Sequence, residues 1–190
     1  MRLAPFAGLE LITAPGLVMT PRPASVALVE RALQHIGERD AIVVDAGTGS
    51  GAIAIAIALA APRARVWATD VSGEAVELAR RNVERYGVDV SVRHGDLLEP
   101  VPGAIDVVVA NLPYLPSAEL ALHPDLGEEP LEAVFASGDG LDPYRRLRSA
   151  SAERLTPDGL LAVQLRGELL AFPAARLDRF DDVLAERAAA

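Results

Sequence analysis

The chain has 190 residues, enough for one domain with a full core and too short for two comfortable ones. Hydrophobic residues make up 51% of it, which excludes intrinsic disorder, and the absence of cysteine excludes disulfides, thiolate metal sites and cysteine nucleophiles. A net charge of -9, from 27 acids against 18 basic residues, argues against a chain built to hold long nucleic acid, whose affinity rests on neutralising phosphates.

Residues 1–23 read as an amino-terminal arm or hairpin ahead of a domain spanning 24–190. Pro5, Gly8 and Glu10 interrupt the continuous apolar segment that a signal peptide needs, so a cytoplasmic location is expected. Two short apolar segments, Leu9 to Ile12 and Leu17 to Met19, flank Pro15-Gly16 and fit a hairpin or an extended arm. Thr20-Pro21-Arg22-Pro23 then introduces a helix from about Ala24 to Ile36, with Val26, Val29, Leu33 and Ile36 at helical spacing and Gly37 as its stop. His35, in its last turn, reads as a polar residue that favours the helix dipole.

Ala41 to Val44 is a buried strand that runs into Asp45-Ala46-Gly47-Thr48-Gly49-Ser50-Gly51. From Ala52 to Ala60, isoleucines and Leu59 alternate with alanine, a strand-like period. Helix is nonetheless expected, because alanine is the strongest helix former and a glycine turn after a parallel strand feeds a crossover helix. The uncharged span from Ala46 to Pro62 has an apolar part about half as long as a bilayer requires. A second strand runs from Arg65 to Thr69 and ends at Asp70. Ser72 then caps a helix that reaches Tyr86, with Val76, Ala79, Val83 and Tyr86 as its inner stripe and Gly87 as its stop.

Asp89 to Arg93 makes a third strand before His94-Gly95-Asp96-Leu97, and Ile105 to Ala110 a fourth before Asn111. Ser117 to Ser137 reads as a loop on the substrate side with a short helix, carrying a lone His123 that lacks the clustered partners a metal site needs. A helix over Leu141 to Leu155, a turn at Pro157-Asp158-Gly159 and a fifth strand, Leu160 to Leu165, follow. The tail from Glu168 has helical composition and no clear further strand. Arg80, Arg81 and Arg85, and Arg145, Arg146 and Arg148, fall on helices, where a solvated face is their simplest role. The alternation of strand and helix predicts an α/β fold with a doubly wound, mostly parallel sheet, and such sheets bind ligands at the carboxyl ends of their strands. Asp45, Asp70, Asp96 and Asn111 all fall at such ends.

Gly47, Gly49 and Gly51 offer positive φ angles and a backbone without Cβ atoms, so a ligand can lie against the amides at a helix start. Gly47 to Ala52 also fits the dinucleotide fingerprint, with Asp70 about 20 residues on, so the turn by itself leaves a nicotinamide enzyme and a methyltransferase both open. Asp45 favours the methyltransferase. An acid just before the turn suits a cofactor with an ammonium and a sulfonium and sits poorly with a diphosphate, which points to S-adenosylmethionine.

Asn111-Leu112-Pro113-Tyr114 supplies the rest of the chemistry. A methyl donor needs an in-line nucleophile, and positioning can provide most of the rate. The hard case is a planar NH2 group conjugated to a carbonyl or an aromatic ring. The Asn111 side-chain oxygen and the Leu112 carbonyl can each accept one N–H, Pro113 stiffens the turn, and the Tyr114 ring packs on a flat substrate. As a structural alternative, the same residues make an Asx-type turn before proline.

With these residues in view, the chain resembles the HemK/PrmC family of protein-(glutamine-N5) methyltransferases, which modify peptide chain release factors. The similarity runs from about Leu9 to Leu165 through Gly16 to Pro23, Asp45 to Gly51, Asp70, Gly95 to Leu98, Asn111 to Tyr114, His123-Pro124-Asp125-Leu126 with Glu129-Pro130, Gly138 to Leu141, and Tyr144-Arg145. It implies a Rossmann-like class I fold using S-adenosylmethionine and no metal. The cofactor would be held by Asp45, Gly47, Thr48, Gly49, Ser50, Gly51, Asp70, Val71, Asp96, Leu97 and Asn111. Within that set Gly47 to Gly51 take the methionine part, Asp70 the ribose, and Asp96 and Leu97 the adenine. Asn111, Leu112, Pro113 and Tyr114 would bind the glutamine amide, with Asn111, Pro113 and Tyr114 as the catalytic set.

The chain departs from the family pattern at Leu112, where proline is usual, and at Gln164, where the fifth strand normally has Glu. Against the family pattern, the chain reads as lacking the helical amino-terminal domain of bacterial members, and its closing hairpin reads as cut short after Phe180. The expected partner is a protein substrate, with no membrane. Two other readings stay open: an N6-adenine methyltransferase on RNA or DNA, which Leu112 favours, and a non-catalytic module that binds S-adenosylmethionine. A nicotinamide oxidoreductase comes last, since it leaves Asn111 to Tyr114 unexplained.

Overall fold

A computed structural model describes residues 2–123, 126 and 129–188; Pro124 and Asp125 of the similarity lie outside the described residues. β1 (Arg2–Phe6) and β2 (Leu9–Thr13) form an antiparallel hairpin. Its turn is Ala7-Gly8, both at positive φ (49° and 79°), which matches the twist of paired strands. The partner of Leu9–Thr13 is therefore Arg2–Phe6, and Leu17 to Met19 is not a strand. Pro15-Gly16 instead folds the chain tightly, with the Leu17 and Val18 amides donating to the Ala14 carbonyl at 3.0 and 2.9 Å. That turn buries Val18 against Ala75 and Leu78.

A 3-10 turn over Pro23–Ser25 leads into α1 (Val26–Ile36), which Gly37 ends as expected. β3 (Ala41–Ala46), α2 (Ala52–Ala60), β4 (Ala64–Asp70), α3 (Gly73–Tyr86), β5 (Val90–His94) and β6 (Ile105–Ala110) follow. The alternating Ile-Ala segment is thus helical. It lies against the sheet, where Ala52 to Ile57 are all buried, so its apolar residues need no single stripe. Ser72 caps α3 through its hydroxyl, which accepts from the Ala75 amide at 3.2 Å.

Beyond the fourth sheet strand come β7 (Leu115–Pro116), a 3-10 turn over Ser117–Leu122, α4 (Leu131–Val134) and β8 (Phe135–Ala136), with β7 and β8 paired in a small parallel ladder. α5 (Asp142–Arg154) leads into β9 (Leu155–Leu165), then β10 (Glu168–Pro173) and α6 (Asp178–Ala188). β10 corrects the expectation of a tail without a strand. Arg166-Gly167, at φ 49° and 82°, makes a two-residue hairpin turn, and β10 pairs with β9 from Leu165↔Glu168 to Leu160↔Pro173. Phe180 lies on α6 outside this hairpin, packed at 5.0 Å between ring centroids on Phe172 of β10.

The main sheet has the order β10-β9-β6-β3-β4-β5, parallel throughout except for β10. Because successive side chains alternate between its faces, Val43, Val107, Val109, Leu160 and Ala162 join α1, α2 and α3 in one core. Val44, Val108, Leu161 and Val163 join Leu141, Tyr144, Leu147 and Phe180 from the α5 and α6 side in a second. Both faces are covered, which is why the strands read as near-continuous apolar runs. Strand order reverses between β3 and β6, so a crevice opens where their carboxyl ends part, at Gly47 and Asn111. Among the described residues no helix is long and apolar enough to cross a membrane.

Candidate active site

The glycine loop is hooked to the sheet at its start: the Gly47 and Thr48 amides both donate to the Thr69 carbonyl at 2.9 Å. Gly47, at φ 72°, has no room for a side chain, since a Cβ there would lie 2.6 Å from Leu112 Cδ2. Gly51, at φ 83°, serves packing: its Cβ would meet Ala79 and Ile55 at 3.3 Å, where α2 and α3 approach. Asp45 is fully buried beneath the loop and does not line the crevice. Its Oδ2 accepts from Thr48 Oγ1 at 2.7 Å and from the Ala54 amide at 3.2 Å, while Oδ1 is buried without a partner. Burial pushes its carboxyl up to about 7, so Asp45 holds the loop from inside and does not offer a fixed charge to a cationic ligand.

Asp70 ends β4 on the crevice. Oδ2 accepts from the Gly49 amide and Oδ1 from the Ser72 amide, both at 2.9 Å, so the carboxylate ties the loop to the start of α3. Burial raises its pKa, against the lowering effect of these amides. Each oxygen keeps a further lone pair for a ligand hydroxyl. Leu97, at φ 44°, accepts from Thr69 Oγ1 at 2.6 Å through its carbonyl, and Asp96 beside it forms an ion pair with Arg146 of α5.

These residues enclose a cavity of about 240 Å³. Gly47, Gly49, Asp70, Val71, Asp96, Leu97 and Asn111 line it together, whereas Asp45, Thr48, Ser50 and Gly51 do not. Thr48 and Ser50 line a smaller neighbouring cavity of about 60 Å³. Val18, Met19, Ala75, Pro143 and Arg146 also contribute to the larger wall, and no motif pointed to them; only the quoted similarity at Gly16 to Pro23 touched that stretch. The lining is acidic, with Asp70, Asp96 and Glu132, and its Arg146 is already paired. An adenosyl ligand with ammonium and sulfonium charges fits this wall, with hydroxyls toward Asp70; a diphosphate does not. Among the described residues no cluster of His, Asp and Glu could hold a metal ion; His123 pairs with Glu119 at 3.7 Å and lies by the Phe135 ring.

Asn111 stands between this cavity and a second, of about 320 Å³, which Leu112, Pro113, Tyr114, Arg22, Leu115 and Gln164 help to line. Tyr114 belongs to the second cavity alone. Asn111 Nδ2 donates to Ser25 Oγ at 3.1 Å. The Leu112 side chain is buried in the core, and its carbonyl is within 2.8 Å of Tyr144 Oη, which also lies 2.6 Å from the Gln164 carbonyl. One lone pair of the Leu112 carbonyl stays available to a ligand. Arg22 and the Thr20 amide both bind the Glu129 carboxylate, at 3.1 and 3.0 Å, which ties the Pro-Arg-Pro segment to the loop before α4.

Besides lying in the last turn of α1, His35 reaches out of the helix: its Nε2 pairs with the Asp158 carbonyl at 2.9 Å, and burial lowers its pKa. Arg145, Arg146 and Arg148 each pair with an acid, Asp139, Asp96 and Asp181.

A family model described as the methyltransferase small domain matches residues 22–131. The release factor glutamine methyltransferase of Geobacter sulfurreducens is 42% identical over 163 residues, 84% of this chain and 57% of its own length. That of Gloeobacter violaceus is 44% identical over 154 residues, 78% of this chain and 54% of its own. The chain thus spans just over half the length of these relatives. Among solved structures, a T. thermophilus 16S rRNA N2 G1207 methyltransferase in complex with AdoMet and guanosine superposes with a TM-score of 0.61 at 22% identity, covering 85% of this chain and 40% of the other.

Proposed function

The chain belongs to the methyltransferase small domain family and has a Rossmann-like class I fold, and from that premise we propose that it methylates a glutamine side-chain amide of a protein, with S-adenosylmethionine as donor. The observation that carries this reading is the meeting of two cavities at Asn111: one lined by Asp70, Asp96 and Glu132, the other by Tyr114 and Gln164. The names of the relatives that match most of the chain support a peptide chain release factor as the substrate. The net charge of -9 favours a protein over a long nucleic acid.

Bound in the first cavity, S-adenosylmethionine would supply a methyl group on a sulfonium: the N–C bond would form as the S–C bond breaks to leave a thioether, and the nitrogen would give its proton to solvent water. The chain's part is positioning. Gly47 and Gly49 let the backbone approach the ligand, and Asp70 accepts from its hydroxyls. Asn111 Oδ1 and the Leu112 carbonyl each accept an N–H of the substrate amide, which turns its nitrogen toward the first cavity. Pro113 holds the turn, and Tyr114 packs on the flat amide. Fixing both reactants in this way removes the need for a strong base or a metal.

Calorimetric titration with S-adenosylmethionine and S-adenosylhomocysteine, with NAD as control, followed by a labelled-methyl assay on release factor and on RNA, tests this reading. Adenosyl binding with transfer to a release factor glutamine is the expected result. Transfer to RNA alone would replace it with the adenine reading, and binding without transfer would leave a non-catalytic module.

A further inference from the structure

Asn111 can serve an amide substrate only if its own amide is turned the right way. Its Oδ1 must face the substrate, because a substrate NH2 group needs acceptors and two NH2 groups facing each other repel. Asparagine alone does not fix this choice, since its two ends have nearly the same shape.

The surroundings of Asn111 fix it. Ser25 Oγ donates its single proton to Gln164 Oε1 at 2.6 Å, and therefore can only accept from Asn111, whose Nδ2 donates at 3.1 Å. Ser25 and Gln164 are both buried, at 3% and 6% exposure. Ser25 also stands at the N-cap of α1, where a serine hydroxyl ordinarily accepts from the next turn's amides, yet it makes no side-chain cap bond. Its backbone is helical, at φ -72° and ψ -8°, so its hydroxyl is left free for the relay. We infer that Ser25 and Gln164 are positioning residues whose hydrogen-bond relay sets the polarity of the Asn111 amide, with Gln164 Oε1 as the acceptor that gives the relay its direction. The inference rests on the amide-methylating role proposed for Asn111. Reversed, with Gln164 donating, Ser25 would donate to Asn111 Oδ1 and present Nδ2 to the substrate.

Gln164 was noted in the sequence only as a departure from the family strand, and Ser25 carried no signal. They lie 139 residues apart and meet because α1 packs along β6 and β9, which brings Ser25, just before its first turn, to the carboxyl ends of both strands.

The test uses the full chain with release factor as methyl acceptor, at pH 8. Ser25→Ala and Gln164→Leu are each expected to lower kcat about tenfold while the Kd for S-adenosylhomocysteine stays within about twofold, the loss of one buried hydrogen bond acting at the substrate. Ser25→Thr and Gln164→Glu, which keep a hydroxyl and an acceptor, should restore kcat to within about threefold of wild type. Ser25→Ala added to Asn111→Ala should lower kcat no further. The direct readout is the Asn111 side-chain NH2 resonance of the protein bound to S-adenosylhomocysteine, assigned by its loss in Asn111→Asp. It should be protected from hydrogen exchange in wild type and exposed in Ser25→Ala. Unchanged exchange in Ser25→Ala, or kcat and cofactor affinity falling together in both variants, would overturn the relay. If wild type methylates no amide, the proposed function fails, and the NH2 resonance still decides whether the relay exists.

Discussion

The backbone of Gly140 lies directly against the backbone of Tyr114: a Cβ at position 140 would come within 2.9 Å of the Tyr114 carbonyl carbon and 3.0 Å of the Pro116 nitrogen. Gly140 also has φ 82°, and its amide closes a turn onto the Ser137 carbonyl at 3.1 Å. The turn before α5 therefore braces the end of the Asn111–Tyr114 segment. Because the neighbours are backbone atoms, they cannot rotate away. Gly140→Ala should destabilise the protein by about 2–3 kcal/mol from left-handed strain and overpacking together. Chemical denaturation would measure it, and a loss under 0.5 kcal/mol would show that the turn can move freely.

Asn111→Ala should leave S-adenosylhomocysteine affinity nearly intact while lowering turnover by about 100-fold, if positioning dominates the rate. Asp70→Ala should do the reverse. It removes the acceptor for the Gly49 and Ser72 amides and, as proposed, for the ligand hydroxyls, so cofactor affinity falls first. Calorimetry and initial rates on both variants separate the two roles, and equal losses of affinity would contradict them.

Tyr144 Oη joins the Leu112 and Gln164 carbonyls from within the second core. Tyr144→Phe keeps the ring but removes the one proton the hydroxyl can donate, leaving a buried carbonyl short of a donor, with an expected cost of about 1–3 kcal/mol. Kcat should fall as well, since the Leu112 carbonyl loses its brace. A denaturation midpoint equal to wild type would mean that the hydroxyl adds nothing there.

Asp45 gives the stability a pH dependence. Its folded pKa is raised from the ordinary 3.8 to about 7 by burial, so between those values the folded protein holds a proton that the unfolded chain has released. This contribution is full below about pH 4 and is lost as pH rises through 7. Asp45→Asn, which can still accept from Thr48 and Ala54, should flatten the fall in melting temperature from pH 4 to 7 relative to wild type. Thermal melts across that range check it, with parallel curves for the two proteins counting against a neutral Asp45.

Much of the fold was legible in the residues themselves. The β-branched runs at Val43–Val44 and Val107–Val109 gave the buried strands, the hydroxyl of Ser72 and the glycines at 37 and 87 gave helix ends, and the strand-to-helix alternation gave the parallel sheet. These signals are local: they depend on propensity, capping and the period of burial, all carried by neighbours in the chain. The amino-terminal hairpin was legible as a hairpin, but its first strand, Arg2–Phe6, and the later strand β10 were not, because the turns Ala7-Gly8 and Arg166-Gly167 place a non-glycine residue at positive φ, which composition does not announce.

At the site, the sequence determined which chemical groups the strand ends could present: the glycine loop, Asp70, Asp96 and the Asn111–Tyr114 segment. What each of them does is set by the packing around it. The tertiary structure sank Asp45 under the loop, spent the Asp96 charge on Arg146, and set Asn111 between two cavities with its amide held by Ser25 and Gln164. The physical reason is that burial and hydrogen-bond direction belong to pairs of groups. The pairs of Asn111 and Asp96 are made by helices α1 and α5 that bring Ser25 and Arg146 to residues 86 and 50 positions away in the chain.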